Sequence, residues 1–451
     1  MKGRDVRYCL AASALLLTGC IRTRNYHPDL KDRPETQSTF YYQFRPDDKN
    51  YSGVCKPPDK CNEYFKRSEA HEAYVEFDAR GSMYRDKENK PVQLKNTLDL
   101  IQQLKHPEGK PAQTIALYVF VHGWKNDASE RSGNVWGFRR FLSYIASQHA
   151  GQPVLGVYIG WPGASLKGDV FLTFWNREPV ADNVGNNEDL TNALRAILQA
   201  AKGPHYDEPG SSAVVIGHSF GGIVLERAAT KLIREQLNIM SDRSSVVESP
   251  ADLFLLLNEA GAAAIARPFL MDLADQHVVY EDDARHPHPL LLSMTSVGDV
   301  ATKLAYPGGE YISFKRPVPE KYSPPDRFGQ ESTRPYDLLI AANMIALQSH
   351  QIVQYISEPS CDLKIELNPR NRKLTYCMNA VCQNRLNFTP YWIMQLPQIF
   401  VPDHSSVFQA HLLNLIAAVA EESEVTNYGP RAQKKEAARL TRGHPRLRRS
   451  Q

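Results

Sequence analysis

The chain has few of the sequence features that mark a metal centre, a repeat protein or a nucleic-acid-binding surface. Only seven of its 451 residues are cysteine, and they show no paired C-x-x-C spacing of the kind that binds structural zinc. No internal repeat is visible, which argues against a solenoid or a propeller. The basic run from Arg431 to Arg449 contains no aromatic residue, so no nucleic-acid stacking platform is expected. The chain is 42% hydrophobic, enough for one large core with insertions or two modest ones.

The first twenty residues have the pattern of an export signal. Three basic side chains precede the apolar run Tyr8–Leu17, which is too short to span a membrane as a helix. The ending Leu17–Cys20 resembles the bacterial lipobox, whose cysteine becomes the lipidated first residue. Position 21 is Ile rather than Asp. By resemblance to bacterial lipoproteins, this favours the outer membrane over retention at the inner membrane. We therefore expect residues 1–20 to be a lipoprotein signal peptide, with an ordinary signal peptide as the alternative. The expected location is the cell envelope, at the outer membrane, on the periplasmic or surface face.

Five cysteines remain after export and lipidation, in a compartment that permits disulfides. Cys55 and Cys61 bracket a turn-rich loop that a disulfide would close. Cys361 and Cys377 flank a predicted hairpin, with Cys382 just beyond it. One cysteine must be left over, and the sequence leaves that choice open. No metal and no cofactor are expected.

Polar segments flank the middle of the chain. Residues 21–90 are predicted to be an N-terminal tether and disulfide-bearing extension, because their first part is polar with scattered prolines. Residues 426–451 form a basic tail, for which two interpretations stay open. The first is a solvated, disordered tail, and the second is electrostatic attachment to anionic lipid.

Apolar runs alternate with stretches of helical periodicity between these segments. The predicted strands are Thr114–Val121, Val154–Ile159, Ala213–Ile216, Leu253–Leu257, Leu290–Met294 and Gln398–Val401. The predicted helices are Val92–Leu104, Val135–Ala150, Asp189–Ala201, Ile223–Arg234, Ala262–Ala274 and Val407–Val419. This order predicts an α/β domain over residues 91–425, with a doubly wound, mostly parallel sheet covered on both faces. Three inserts interrupt it, near 164–180, 302–337 and 358–395.

A nucleophile is predicted at the sharpest break in this alternation. The apolar run Ala213–Ile216 ends at Gly217-His218-Ser219-Phe220-Gly221, and helical periodicity follows directly. Strand, turn and helix are the context that the pattern G-x-S-x-G requires to expose a serine hydroxyl. We therefore predict Ser219 as the nucleophile; a purely structural turn is the alternative.

A serine nucleophile needs a base that is itself oriented by an acid. Asp299 follows an apolar strand, 80 residues beyond Ser219, and His404 lies in the last strand-to-helix loop. We predict these two as acid and base. The competing carboxylates are Glu259, Asp282 and Asp283, and the competing histidines are His277, His286, His288, His350 and His411.

Two backbone N–H groups are predicted to stabilise the oxyanion. One belongs to Phe220, directly after the nucleophile, and the other to Trp124, in the loop after the first strand. In that loop Gly123 allows close backbone approach, and His122 is expected to brace the loop rather than act as a base. His122, Gly123 and Trp161 are also candidates for the wall of a substrate site, with core packing as the alternative for the tryptophans.

Residues 113–420 resemble an α/β-hydrolase of the serine esterase and lipase type. The resemblance rests on His122-Gly-Trp, Gly217-His-Ser-Phe-Gly-Gly, Gly298-Asp and Asp403-His in that order. It implies Ser219, Asp299 and His404 as the triad, and Trp124 and Phe220 as oxyanion donors, but it does not name a substrate. We predict hydrolysis of carboxylic esters, with lipid or other acyl esters as the substrates. The alternative is an inactive hydrolase-fold lipoprotein that serves as a binding or accessory module.

The insert at 164–180 carries a crowd of large apolar side chains, namely Phe171, Leu172, Phe174 and Trp175. The spacing of positions 171, 174 and 175 fits one face of a helix. One interpretation is a lid or interfacial patch that opens the Ser219 pocket toward acyl chains. The other is an ordinary short helix packed on the domain.

Overall fold

The computed structural model of the protein describes most of the chain between residues 69 and 420. The described residues are 25–27, 40–42, 54–55, 69–148, 151–164, 174–206, 210–239, 249–275, 289–307, 339–344, 347–354, 361, 363–367, 374–381, 390–409 and 411–420. Several predictions fall outside them, namely those on Cys20, Cys61, Phe171, Leu172, Cys382 and the basic tail. None of the helices in the described part is long and apolar enough to cross a bilayer.

A sheet with nine strands among the described residues forms the middle of the domain. Its strands are β1 (Phe40–Tyr42), β2 (Val54–Cys55), β3 (Glu69–Glu76), β4 (Ala116–Val121), β5 (Val154–Gly160), β6 (Ser212–His218), β7 (Leu253–Leu257), β8 (Leu291–Ser296) and β12 (Tyr391–Leu396). They lie in the order β12-β8-β7-β6-β4-β5-β3-β1-β2. The seven strands from β12 to β3 are all parallel, and β1 and β2 continue the sheet in antiparallel fashion.

Both faces of this sheet are covered. The helices are α1 (Val92–Lys105), α2 (Gly133–Gln148), α3 (Phe174–Asn186), α4 (Glu188–Lys202), α5 (Phe220–Ile239), α6 (Ala263–Asp275) and one over residues 411–420. One apolar core lies on one face of the sheet, where the helices α1, α3, α4, α5 and α6 pack. A second core, on the other face, contains α2, residues 411–420 and a small antiparallel sheet of β9 (His350–Gln354), β10 (Leu363–Leu367) and β11 (Leu374–Ala380).

The strand sequences explain this arrangement. Every residue of β4, β5, β6 and β7 is buried, as expected for inner strands of a parallel sheet that is covered on both sides. Along β4 the side chains alternate between the two cores, with Leu117 and Val119 in one, and Tyr118 and Phe120 in the other. The predicted α/β class with a mostly parallel sheet is confirmed.

The last strand lies earlier than predicted. The prediction placed it at Gln398–Val401 and assigned residues up to 395 to an insert, but Tyr391–Leu396 pairs with β8. Pro397 ends the strand, and the Phe400 N–H donates to the Pro397 carbonyl in a turn. Phe400 and Val401 are buried from that turn, so their apolar character was mistaken for a strand.

Strand β3 was missed because it is rich in glutamate. Glu72, in its middle, is buried and bonded at 2.9 Å to Arg139 of α2. Glu76, at its end, is buried and bonded to Gln93 of α1. Because side chains of distant elements hydrogen-bond these buried carboxyl groups, a polar segment forms a buried strand beside β5. The predicted extension 21–90 thus includes part of the main sheet.

A short N-terminal segment is bound at the carboxyl end of β3. The N–H groups of Tyr26 and His27 each donate to a different oxygen of Glu76, at 2.9 Å. The His27 ring also stacks on Tyr74, with 3.9 Å between ring centroids. This part of the predicted tether is therefore held against the domain by a buried carboxylate.

A disulfide joins Cys361 to Cys377 across the small sheet. The hairpin that these two cysteines were predicted to flank is formed by β10 and β11, and β9 adds a third strand. The proposed Cys55–Cys61 pairing stays a prediction because Cys61 is outside the described residues.

Candidate active site

Ser219 lies in a sharp turn between β6 and α5. Its φ angle is 57°, in the left-handed region that residues other than glycine seldom occupy. A Cβ atom on Gly221 would lie 2.3 Å from the Val121 carbonyl oxygen, and one on Gly217 would lie 2.5 Å from that of Gly221. Both positions therefore require glycine. The Ser219 N–H donates to the Leu257 carbonyl at 3.1 Å, which ties the turn to the next strand.

Asp299 and His404 meet Ser219 at the carboxyl edge of the sheet. With a proton on Nδ1, His404 donates to Asp299 Oδ2 at 2.8 Å. Its Nε2 then accepts from the Ser219 hydroxyl, also at 2.8 Å. The three residues follow β6, β8 and β12, whose carboxyl ends point the same way. The structure thus brings all three predicted residues into one chain of hydrogen bonds.

The acid is held by the short helix that follows it. Asp299 is buried, and its Oδ1 accepts from the Thr302 N–H at 3.1 Å. Burial raises the pKa of Asp299, but the hydrogen bond and charge of His404 and the bonds from Thr302 outweigh it, so the pKa lies below its usual value. The carboxylate is therefore ionised at neutral pH, as an orienting acid must be.

The two predicted oxyanion donors lie on either side of the nucleophile. Phe220 is the first residue of α5, where helix N–H groups lack intrahelical partners and the helix dipole is positive. Gly123 lies so close to the turn that a Cβ there would be 2.7 Å from the Ser219 Cβ. Trp124 follows it, and its ring centroid is 6.0 Å from that of Phe220. The catalytic role of both N–H groups stays a prediction.

His122 and Trp161 brace the loop after β4 through hydrogen bonds to its backbone. The His122 Nδ1–H donates to the Gly123 carbonyl at 2.9 Å, and its Nε2 accepts from the Trp161 N–H at 3.1 Å. The Trp161 indole N–H in turn donates to the His122 carbonyl at 2.7 Å. Burial lowers the pKa of His122 to about 4, so the ring is neutral. Both side chains are buried and brace the loop, and their contact with substrate stays a prediction.

Four aromatic rings form a cluster that includes Phe220, the residue after the nucleophile. Phe174 packs against Trp124, Phe220 and Tyr306, with centroid distances of 5.9, 5.2 and 5.8 Å. Only 5% of Phe174 is exposed, so this residue packs as the first turn of an ordinary helix. Residues 165–173 and the side chain of Trp175 are outside the described structure, and the lid stays a prediction.

The competing acids and bases that are described lie elsewhere. Glu259 pairs with Glu226 of the nucleophile helix α5, and Tyr391 donates to Glu226 at 2.6 Å. Burial and the neighbouring Glu226 carboxylate raise the pKa of Glu259 well above its usual value. His350 stacks on Trp392, and His411 begins the last helix. The remaining candidates are outside the described residues, namely Asp282, Asp283, His277, His286 and His288.

Sequence reasoning missed two polar residues that contact the His404 main chain. They are His218, next to the nucleophile, and Asn258, directly after β7. The position of His218 inside the G-x-S-x-G pattern was a signal, but its partner lies 186 residues away in the chain. Nothing in the sequence around Asn258 indicates its contact.

Within the described residues, no group of His, Cys, Asp or Glu side chains is arranged to hold a metal ion. No family model and no curated protein matches the chain. Among solved structures, a Trichoderma reesei cutinase in complex with a C11Y4 phosphonate inhibitor is similar at 16% identity and a TM-score of 0.18. The likeness covers 38% of this chain and 67% of the cutinase chain. At this TM-score it carries no inference about the present protein.

Proposed function

We propose that this protein is a serine hydrolase of the α/β-hydrolase type that cleaves carboxylic esters through an acyl-enzyme on Ser219. The observation that carries the proposal is the continuous hydrogen-bond chain from Ser219 through His404 to Asp299, with 2.8 Å at each step. A nucleophile, a base and an orienting acid in hydrogen-bond reach are the parts that acyl transfer needs. The left-handed backbone at Ser219 adds support, since strain of this kind is found at functional sites.

In the first half of the reaction, Ser219 Oγ attacks the ester carbonyl carbon while its proton moves to His404 Nε2. The carbonyl π electrons move to oxygen, which the N–H groups of Phe220 and Trp124 stabilise. The ionised Asp299 stabilises the imidazolium that forms. When the tetrahedral intermediate collapses, the C–O bond to the leaving group breaks. His404 returns its proton to the departing oxygen.

In the second half, water takes the place of the alcohol. His404 Nε2 removes a proton from water as its oxygen attacks the acyl carbon. The new intermediate collapses by breaking the bond to Ser219 Oγ, which regains the proton from His404. The carboxylic acid leaves, and the enzyme is restored with no net change in its protons.

Acyl esters of low polarity are the proposed substrates. Apolar side chains are exposed around Asp299 and on the loop that carries His404. Val297, Val300 and Leu304, in the loop and short helix around Asp299, are 40%, 63% and 71% exposed, and Ile399, before His404, is 37% exposed. They are four of the five large hydrophobic residues exposed in the described structure. An exposed apolar cluster beside a reactive centre favours a partner that is itself apolar.

The proposed location is the outer membrane of the cell envelope, with the protein attached through a lipid on Cys20. The support comes from the sequence of residues 1–20. Metabolic labelling with a palmitate analogue tests it: the wild type should carry the label and Cys20→Ser should not. A label that persists in the variant would refute the attachment site.

A fluorophosphonate probe tests the reaction. The wild type should be labelled and should hydrolyse soluble p-nitrophenyl esters, and Ser219→Ala should lose both properties. Ser405→Ala, which alters an exposed serine next to His404, is the matched control and should behave like the wild type. Labelling that survives in Ser219→Ala would move the nucleophile elsewhere. A wild type that neither labels nor turns over ester would refute the proposal in favour of an inactive binding module.

A further inference from the structure

The main-chain carbonyl of His404 accepts two hydrogen bonds from side chains of the sheet edge. His218 Nε2–H donates to it at 2.8 Å, and the Asn258 side-chain amide donates to it at 3.2 Å. The same amide lies 3.4 Å from the Asp403 carbonyl. His404 belongs to the loop between β12 and the last helix, so no strand ladder fixes its backbone. These two side chains supply that fixation.

The chemistry of a carbonyl determines the state of His218. A carbonyl oxygen can only accept, so Nε2 of His218 carries the ring proton. The ring is 3% exposed, and burial lowers its pKa to about 3, so it stays neutral with Nε2 as the donor. Nδ1 is then an acceptor, and within the described structure it has no hydrogen-bond partner. The bond to His404 is therefore the single hydrogen bond that this ring makes there.

Asn258 is fixed at both ends of its side-chain amide. Its Oδ1 accepts from the Ser296 N–H at 2.9 Å, three residues before Asp299, and its Nδ2 reaches His404. Its φ angle is 44°, a left-handed value that asparagine tolerates better than most residues. Asn258 thus links the loop of the acid to the loop of the base.

We infer that His218 and Asn258 are positioning residues that hold the His404 imidazole in register with Ser219 and Asp299. The inference rests on the proposed function. His218 precedes Ser219 in the chain, so one side chain ties the nucleophile turn directly to the backbone of the base. Proton transfer between Ser219 Oγ and His404 Nε2 depends on a few tenths of an ångström, which a loop by itself does not ensure.

The first test compares three variants by steady-state kinetics on a soluble ester. His218→Phe keeps a ring but removes the donor, and it should lower kcat about 10- to 100-fold while KM changes less than about threefold. His218→Gln, whose amide N–H reaches the same carbonyl, should recover most of the loss. His350→Phe removes a buried histidine far from Ser219 and should leave kcat unchanged. A His218→Gln no better than His218→Phe would overturn the role of the donor.

A double variant separates positioning from general damage to the nucleophile turn. Combined with His404→Ala, the change His218→Phe should lower the remaining activity by less than about threefold, because the positioned group is gone. A full additive loss would show that the turn itself was distorted, and would refute positioning.

Asn258 gives an independent test, also if His218→Phe does not fold. Asn258→Gly accepts the left-handed backbone and deletes the amide, and Asn258→Asp keeps the acceptor for Ser296 but places an oxygen against the His404 carbonyl. Both should lower kcat, the aspartate more strongly. Wild-type kcat in either variant would refute the role of Asn258.

A spectroscopic readout does not depend on ester turnover. The low-field proton resonance of His404 Nδ1–H, bonded to Asp299, should weaken or broaden in His218→Phe and persist in His218→Gln. If the wild type lacks esterase activity, the proposed function fails, and this resonance still decides the positioning inference. A resonance equally sharp in both variants would overturn it.

Discussion

Replacing Asp299 with asparagine reverses one hydrogen bond of the candidate active site and leaves its neighbour in place. The carboxylate has two acceptor oxygens, one for the Thr302 N–H at 3.1 Å and one for His404 at 2.8 Å. An asparagine has one acceptor, and the Thr302 N–H requires it. The amide nitrogen then faces His404 Nδ1, which must become an acceptor. The ring proton moves to Nε2, where it blocks uptake of the Ser219 proton.

The expected loss in kcat is large because the wrong tautomer removes the base altogether. We expect about 10⁴-fold, or about 5.5 kcal/mol of transition-state stabilisation. The fold should survive, since the bond to Thr302 is retained and no volume changes. Stopped-flow and steady-state kinetics on a soluble ester measure kcat, and thermal unfolding checks that the variant is folded.

The matched control is Asp403→Asn. Asp403 is exposed beside His404, and its carboxylate accepts from the N–H groups of Ser405 and Ser406 at 2.9 and 3.0 Å. An asparagine oxygen can do the same, so kcat should stay within about threefold. If Asp299→Asn retained activity within tenfold of the wild type while folded, the assignment of Asp299 as the orienting acid would be wrong.

Two further predictions concern stability and substrate. Burial and the neighbouring carboxylate raise the pKa of Glu259 above its usual 4.5, so its contribution to stability is complete below that pH and is lost as the pH rises through the raised pKa. Glu259→Gln should therefore lose less unfolding free energy between pH 5 and pH 8, measured by urea titration. The double change Val300→Ser/Leu304→Ser removes exposed apolar surface, and it should lower activity on long-chain esters several-fold more than on short soluble ones.

Each of these two predictions has a matched control substitution at another position of the protein. Glu188 pairs with Lys231 at an exposed site, so Glu188→Gln should keep the wild-type pH dependence of unfolding. Equal pH dependence in Glu259→Gln would contradict the raised pKa. Met271, the fifth exposed large hydrophobic residue, lies on α6, and Met271→Ser should leave the chain-length preference unchanged. Equal losses on short and long esters in the double variant would argue against an apolar docking surface.

The parts of the fold that were predictable are those where one local pattern decides the structure. β4 and β7 are uninterrupted apolar runs of 6 and 5 residues, a length typical of a buried strand and too short for a helix. The turn at Ser219 was predictable because its two flanking glycines have no alternative at those contact distances. Asp299 and His404 followed from their position after strands, although the last strand itself was placed five to seven residues too late.

What escaped prediction depends on partners that are distant in the chain. Strand β3 was not recognised because its glutamates suggest an exposed segment. The side chains that hydrogen-bond them, Arg139 and Gln93, belong to helices that come later in the sequence. His218 and Asn258 donate hydrogen bonds to a main-chain carbonyl. Every residue has such a carbonyl, so the sequence does not indicate which one is the acceptor. Such contacts become visible only when the loops that carry them are brought to the same edge.

Because Glu76 binds the N–H groups of Tyr26 and His27, only the residues before position 25 are left as a tether between the domain and the proposed lipid anchor. Four residues lie between positions 20 and 25, and the five chain steps that join these positions reach about 17 Å when fully extended. Glu76 ends β3, three strand spacings from β6, which is about 14 Å across the sheet edge that holds Ser219. With the proposed lipid on Cys20, the domain could not swing freely on a long polar arm. The domain would be attached to the membrane at the same edge of the sheet that carries Ser219. The candidate active site would then lie within a few nanometres of the bilayer surface.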